Sequence, residues 1–407
     1  MPLSTAGKGC PEVTQKRSDW RDWPTAFAAG FLLAFPTQAH VQLLPSPGPQ
    51  NPRLIPRTHE ERERKYQELH RIVLSVQVSS PSGQPAESLQ QSDFTLLVDH
   101  QPHRIAYFQS INLNSAENPA RIVLVVDALN NSAGKVAVYR KEITRYLQSG
   151  TTVPLPNPTA IALLSEHGMD LGSFSTDRVI VLGQLDRLTG KVHSMSCRDT
   201  TPERVQESDQ HDPNPRLDCL DRLFNSSITA LNSLGESLAL SRSKSHRPVR
   251  TIVIWMGRGW PLLNQPGYTP DTPETKASFY RDLVNISSAL TEAEVSLSTV
   301  ASSEILPISR KNLSKSYFFR GISDPKDANA SSLSLQALAW QSGGTVLNAS
   351  KDISAQIARC AKDAQAYYLL SFEYPPSPSF GQFHILSVTL DNASLNVRAR
   401  TVYYAEQ

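Results

Sequence analysis

Arg121–Asp127 reads RIVLVVD, an unbroken apolar run that closes on an acid, and Thr251–Met256 reads TIVIWM, its match further along the chain. Runs of this length without polar alternation belong to strands covered on both faces, as in parallel sheets packed between helices. The stretches around them carry the helical period. Val136, Tyr139, Ile143 and Leu147 form one stripe over 135–147. Leu220, Leu223, Phe224, Leu231, Leu234 and Leu238 form a second on a long helix starting at Cys219, and Phe279, Leu283, Ile286 and Leu290 form a third. TAIALLS (159–165), the segment around MDLGSF (169–174) and VSLSTV (295–300) are further strands. Residues 331–341 form a helix stopped by Gly343-Gly344, with a short TVL strand after it. Strands alternating with helices predict a doubly wound, mostly parallel sheet flanked by helices over 120–364, with the polar, Pro-containing stretch 190–219 as a loop insertion.

Outside that span the period changes to two. Leu74, Val76 and Val78 alternate with Ser75 and Gln77, and DFTLLVD and HRIAYFQ follow as short strands across DHQPH. From 366 onward AYYLLSFEYP, FHILSVTL and SLNVRARTVYY return to the strand pattern. A few short strands make a poor independent sheet. Residues 70–115 and 366–407 are therefore expected to share one small antiparallel β-sandwich, with the α/β domain inserted between its halves.

The N-terminus reads as an address. Lys8, Lys16, Arg17 and Arg21 precede an apolar run from Thr25 to Pro36, and Thr37 and Ala39 occupy the −3 and −1 positions of a cut after Ala39. That is a signal peptide over 1–39, its apolar run too short to span a bilayer. Prolines 45, 47, 49, 52 and 56 and a charged HEERERKYQE lead-in make 40–69 a linker. The mature protein is expected to be secreted, periplasmic or in the cell envelope, with the membrane met only through the export signal. In that oxidising space Cys197 and Cys219, which bracket the polar loop, form a candidate disulfide, stabilising by about 3 kcal/mol in the chain-entropy model. Cys360 shares a helical face with Ile353, Ile357 and Ala364 and reads as a buried thiol.

Forty Lys plus Arg against 38 Asp plus Glu, in 407 residues, leave a net charge of +2, which gives no footprint for nucleic acid. GxSxG, GxxxxGK[ST] and HExxH patterns are all missing, and acids such as Asp218 and Asp221 fall where first-turn carboxylates favour a helix dipole. The expectation is a protein that is not an enzyme.

Four segments, in order, carry a family resemblance: SGQPAESLQQSDFTLLVDHQPHRIAYF, RIVLVVDALNN, RTIVIWMGRGWP, and AYYLLSFEYPPSP with its tail LNVRARTVYYA. Together with QSGGTVLNASKDI they make the chain resemble the von Willebrand factor A-related domain proteins of acidobacterial type over about 70–405. The resemblance implies an A-type α/β fold whose sheet edge carries a divalent cation on an Asp-x-Ser-x-Ser loop, a Thr from a second loop and an Asp from a third. Asp127 matches the first Asp. The serine positions are Leu129 and Asn131, and the third loop, Gly257-Arg258-Gly259, has no Asp. Leucine cannot ligate, so a site for Mg²⁺ or Ca²⁺ reduces to Asp127 and Asn131, and no cofactor is expected. Two other readings stand beside the metal. Asp127 caps the first helix or turn, with Asn130, Asn131 and Ser132 in a hydrogen-bonded loop; or the edge is a metal-free contact surface. The candidate binding residues are Asp127, Asn130, Asn131, Ser132, Arg258 and Trp260, the last more simply read as packing under its loop. The functional expectation is an exported binding or adhesion-type module contacting a protein or envelope component through this edge. The alternatives are a structural or assembly protein of the envelope acting through its β-sandwich, and a metal-dependent adhesin with a degenerate site.

Overall fold

All seven residues of Arg121–Asp127 and all six of Thr251–Met256 are buried, as strands covered on both faces must be. The computed structural model describes residues 71–112, 120–149, 154–189, 215–243, 249–261, 272–302, 319, 321–373 and 381–405, all within one compact unit. The expected signal peptide, the linker and Cys197 lie outside the described residues. The strands are β1 (Arg71–Ser79), β2 (Phe94–Val98), β3 (Gln101–His103), β4 (Tyr107–Ile111), β5 (Arg121–Asp127), β6 (Thr159–Ser165) and β7 (Gly168–Leu171), then β8 (Thr251–Met256), β9 (Val295–Ser302), β10 (Val346–Asn348), β11 (Tyr367–Glu373), β12 (Gln382–Leu390), β13 (Asn396–Arg398) and β14 (Val402–Ala405). The helices are α1 (Ala133–Gln148), α2 (Arg178–Thr189), α3 (Pro215–Ser243), α4 (Pro273–Glu292), α5 (Leu335–Gln341) and α6 (Ile353–Ala361).

Six strands form a mixed sheet in the order β10-β9-β8-β5-β6-β7, parallel throughout except for β7, which returns antiparallel along β6. Alternation along β5 and β8 divides the core. Ile122, Leu124, Val126, Ile252, Ile254 and Met256 face α1, α2 and α6, whereas Val123, Val125, Val253 and Trp255 face α3, α4 and α5. Helix α3 begins at Pro215, ahead of the expected start at Cys219, so the last residues of the expected 190–219 loop are helical. Proline suits that first turn because its missing N–H would be unpaired there anyway.

The remaining strands form two antiparallel sheets, β13-β1-β11-β4 and β14-β12-β2-β3, each combining strands from before and after the α/β span. Leu74, Val76, Leu96, Val98, Leu370, Phe372 and Leu386 pack between them. Two expectations change here. Gln77 on β1 does not face solvent; it is buried and donates to the Asp363 carbonyl at 2.6 Å. SLNVRARTVYY is not one strand, because β13 pairs with β1 and β14 with β12, in different sheets. The break falls at Ala399–Thr401, where buried Arg400 turns away to donate to the Leu290 and Val295 carbonyls, each at 3.0 Å. Strand β11 joins the layers: Tyr367 and Leu369 pack into the α/β core, Tyr368 and Leu370 into the other.

Candidate binding edge of the parallel sheet

Strand order reverses between β5 and β8, and in open α/β sheets ligands bind beyond the C-terminal ends of the strands at such a point. The loops that leave these strands, Ala128–Ser132 and Gly257–Trp260, meet there. Gly257 makes the approach: its φ is +128°, and a Cβ at that position would lie 2.9 Å from Asn131 Nδ2.

Asp127 ends β5 on the face that also carries Trp255, and it is fully buried. Its Oδ1 accepts from the Asn130 backbone N–H at 2.9 Å and from Asn130 Nδ2 at 3.1 Å; its Oδ2 accepts from the same amide at 3.1 Å and from the Trp255 indole at 3.2 Å. Burial pushes the Asp127 carboxyl up to about 6, while these hydrogen bonds pull the other way. The Asn130 amide also donates to Ser227 Oγ at 2.9 Å, tying the loop to α3. Asn131 is buried; it donates to the Asp127 carbonyl at 2.9 Å and accepts from the Tyr139 hydroxyl at 3.4 Å. Burial and the Asp127 charge push the Tyr139 hydroxyl up, and Arg258 pulls it down.

The helix cap is Ser132, whose side chain accepts from the Lys135 backbone N–H. Asp127 closes the turn before it. Ser132 and Arg258 are exposed, and the Arg258 carbonyl accepts from Gln336 Nε2 at 3.0 Å, which fixes the loop backbone. Trp260, a candidate contact residue more simply read as packing under its loop, takes the packed role. It is 5% exposed, donates its indole N–H to the Leu333 carbonyl at 3.0 Å and meets the Trp255 ring edge-on at 5.7 Å. An apolar ring at a loop base buries more surface inward than it could offer a partner.

The structure adds Ser227, Tyr139 and the Trp255 N–H to the expected set. Ser227 had a signal: it falls between Phe224 and Leu231 on an otherwise apolar helical stripe, where a hydroxyl needs a buried partner. The other two had none: strand register brings the Trp255 indole to Asp127, and the packing of α1 brings the Tyr139 hydroxyl to Asn131.

These residues do not fit a hard divalent cation, which wants oxygen ligands. Both Asp127 oxygens face N–H donors, Leu129 is apolar, Asn131 Oδ1 is taken by Tyr139, and Arg258 adds positive charge. Among the described residues no group of three His, Cys, Asp or Glu side chains could hold a metal. Cys219 is buried on α3 and is not a free thiol. Cys360 is free, and burial pushes its thiol up to about 12. A groove of about 830 Å³ between α1 and α2 is lined by Arg140, Lys141 and Arg145; Arg140 pairs with Asp186 at 2.8 Å and Arg145 with Glu142 at 2.7 Å. No helix among the described residues is long and apolar enough to cross a membrane.

No family model and no curated protein matches this sequence. Solved structures with partial likeness include an aerotolerance-related membrane protein from Bacteroides fragilis (9% identity, 60% of this chain and 98% of that one, TM-score 0.28). Manganese-loaded TRAP protein from Plasmodium vivax aligns at 12% identity over 72% of this chain and 96% of that one, with a TM-score of 0.29. A pilus adhesin from Lactobacillus rhamnosus GG aligns at 9% identity over 81% of this chain and 47% of that one, with a TM-score of 0.33. Likeness at these scores carries no functional argument, so the chemistry of the edge has to be read from its own residues.

Proposed function

We propose that this chain is an exported, non-enzymatic binding module of the adhesion type, a von Willebrand A-like α/β domain inserted in a β-sandwich. Its contact surface is the switch-point edge, and its partner is a protein or envelope component. One observation carries the reading: the Asp127 carboxylate and the Asn131 amide are buried and engaged with neighbouring groups, while Ser132 and Arg258 remain at the surface. A nucleophile beside a base would point to catalysis; an edge whose carboxylate is held by N–H donors beside an exposed guanidinium supports recognition. The module starts after Ala39 and carries the Cys197–Cys219 bridge, which peptide mapping without reductant tests. The function itself is tested by comparing wild type with Ser132→Ala/Arg258→Ala in crosslinked pull-downs from envelope extract. Loss of the captured partner is expected, and an unchanged partner set moves the function to the β-sheets.

Strand addition has its own support. Among the described residues β4 pairs with β11 on one side and ends its sheet, and its sequence YFQSI has neither the charge nor the Pro that discourages further pairing. Gln109→Pro would separate this reading from the first, by abolishing capture that Arg258→Ala leaves intact.

A further inference from the structure

The A-type resemblance implies a cation at Asp127, and the residues around that carboxylate are arranged against one. A cation needs lone pairs, and an indole N–H is a donor that cannot be turned into an acceptor. Trp255 is fully buried in β8, with its ring held edge-on by Trp260, so its N–H is fixed on Asp127 Oδ2. Asn130 presents its amide nitrogen to both carboxylate oxygens and to Ser227 at once. To admit an ion, the Asn130 amide would have to turn its unpartnered Oδ1 inward, giving up both N–H donors that hold the Asp127 carboxylate and Ser227, and the indole would have to leave the core. Neither serine position can compensate, because Leu129 is a buried hydrocarbon and Asn131 is spent on the Asp127 carbonyl and on Tyr139.

We infer that the edge is held by an indole–amide–carboxylate lock (Trp255, Asn130 and Asp127) standing where a divalent cation would otherwise organise the loops, so that its shape does not depend on Mg²⁺, Ca²⁺ or Mn²⁺. The lock joins β5, β8 and α3 through neutral donors, and the loop after β5 is in place before any partner arrives. The inference concerns the same edge as the proposed function, but it is read on the purified chain without a partner. If it fails, the contact surface at Arg258 still stands, and the reverse also holds.

The experiment follows thermal unfolding and tryptophan emission of the full chain with excess MgCl₂, CaCl₂ or MnCl₂, and with EDTA. A resident ion stabilises by mass action, raising Tm by several degrees and losing that gain in EDTA. The lock predicts superimposable curves in all four conditions, and a Trp255→Phe variant whose Tm is lowered by the same amount in each. If that variant does not fold, Asn130→Ser, which keeps the backbone N–H, takes its place with the same expected outcome. An ion-dependent rise in Tm that Asp127→Asn abolishes would overturn the inference, as would a Trp255→Phe variant, or its replacement, with unchanged Tm.

Discussion

The six-stranded sheet holds a buried carboxylate at each end, and the two are treated in opposite ways. At the C-terminal end Asp127 is met by neutral N–H donors from Asn130 and Trp255. At the N-terminal end Glu294, just before β9, is met by guanidinium groups: Arg242 Nη2 lies 2.6 Å from its Oε1, and Arg250 and Arg400 also pull its carboxyl down against the stronger push of burial. That lower end is where the antiparallel sheets join the α/β layers. Arg250 stacks over Tyr367 at 4.6 Å and donates to the Asp363 carbonyl at 2.9 Å, and Arg398 pairs with the Asp363 carboxylate at 2.7 Å. Fixed charges are spent on the junction, whereas neutral donors at the upper end leave the charge of Arg258 at the surface. The difference separates a junction held by fixed charges from an edge held by neutral donors, with the Arg258 charge at its surface.

The contrast breaks most visibly at the junction. Arg250→Met should cost about 3–5 kcal/mol in urea unfolding, the usual loss when one member of a buried charged network is removed; a loss similar to that of a surface variant would make the junction ordinary packing. The upper carboxylate should show itself in pH dependence. Asp127 has a folded pKa of about 6 against an ordinary value of 3.8, so its contribution is fully present below 3.8 and is lost as pH rises through 6. Folding stability should therefore fall by about 2 kcal/mol from this group between pH 4 and 7. Asp127→Asn should flatten that slope, measured as unfolding free energy at a series of pH values. Gly257→Ala places a Cβ against Asn131 Nδ2 at a φ of +128° and should destabilise by about 1–3 kcal/mol. The smallest effect belongs to Arg258→Ala, expected to stay within about 0.5 kcal/mol of wild type in stability while losing partner capture. Equal stability losses at Arg250 and Arg258 would erase the distinction between the two ends.

Much of this architecture was legible because it is local. RIVLVVD and TIVIWM announce strands buried on both sides, and the stripes on α1, α3 and α4 announce amphipathic helices, since each pattern repeats within its own element. The bend in SLNVRARTVYY was not legible, because alternation continues through it and the strand changes sheets only where Arg400 finds carbonyls on another part of the chain. Trp260 had two readings, contact and packing under its loop, and the sequence could not supply the partners that decide between them. Its place at a strand end suits recognition, and only the Leu333 carbonyl and the Trp255 ring, brought by other elements, draw it inward.

The sequence by itself determined the α/β class, the strands and helices, the mixed use of terminal strands and the position of Asp127 at the end of the first buried strand. It also determined that Leu129 and the Gly257-Arg258-Gly259 loop depart from a metal-binding pattern. Tertiary structure decided what Asp127 does. Pairing β5 with β8 in the register Val125 to Trp255 sets that indole on the same sheet face as the carboxylate two residues on, and α3 brings Ser227 to the Asn130 amide. Periodicity along a chain reports which face a side chain takes, but a hydrogen bond between residues 128 positions apart depends on register, which only the folded sheet supplies.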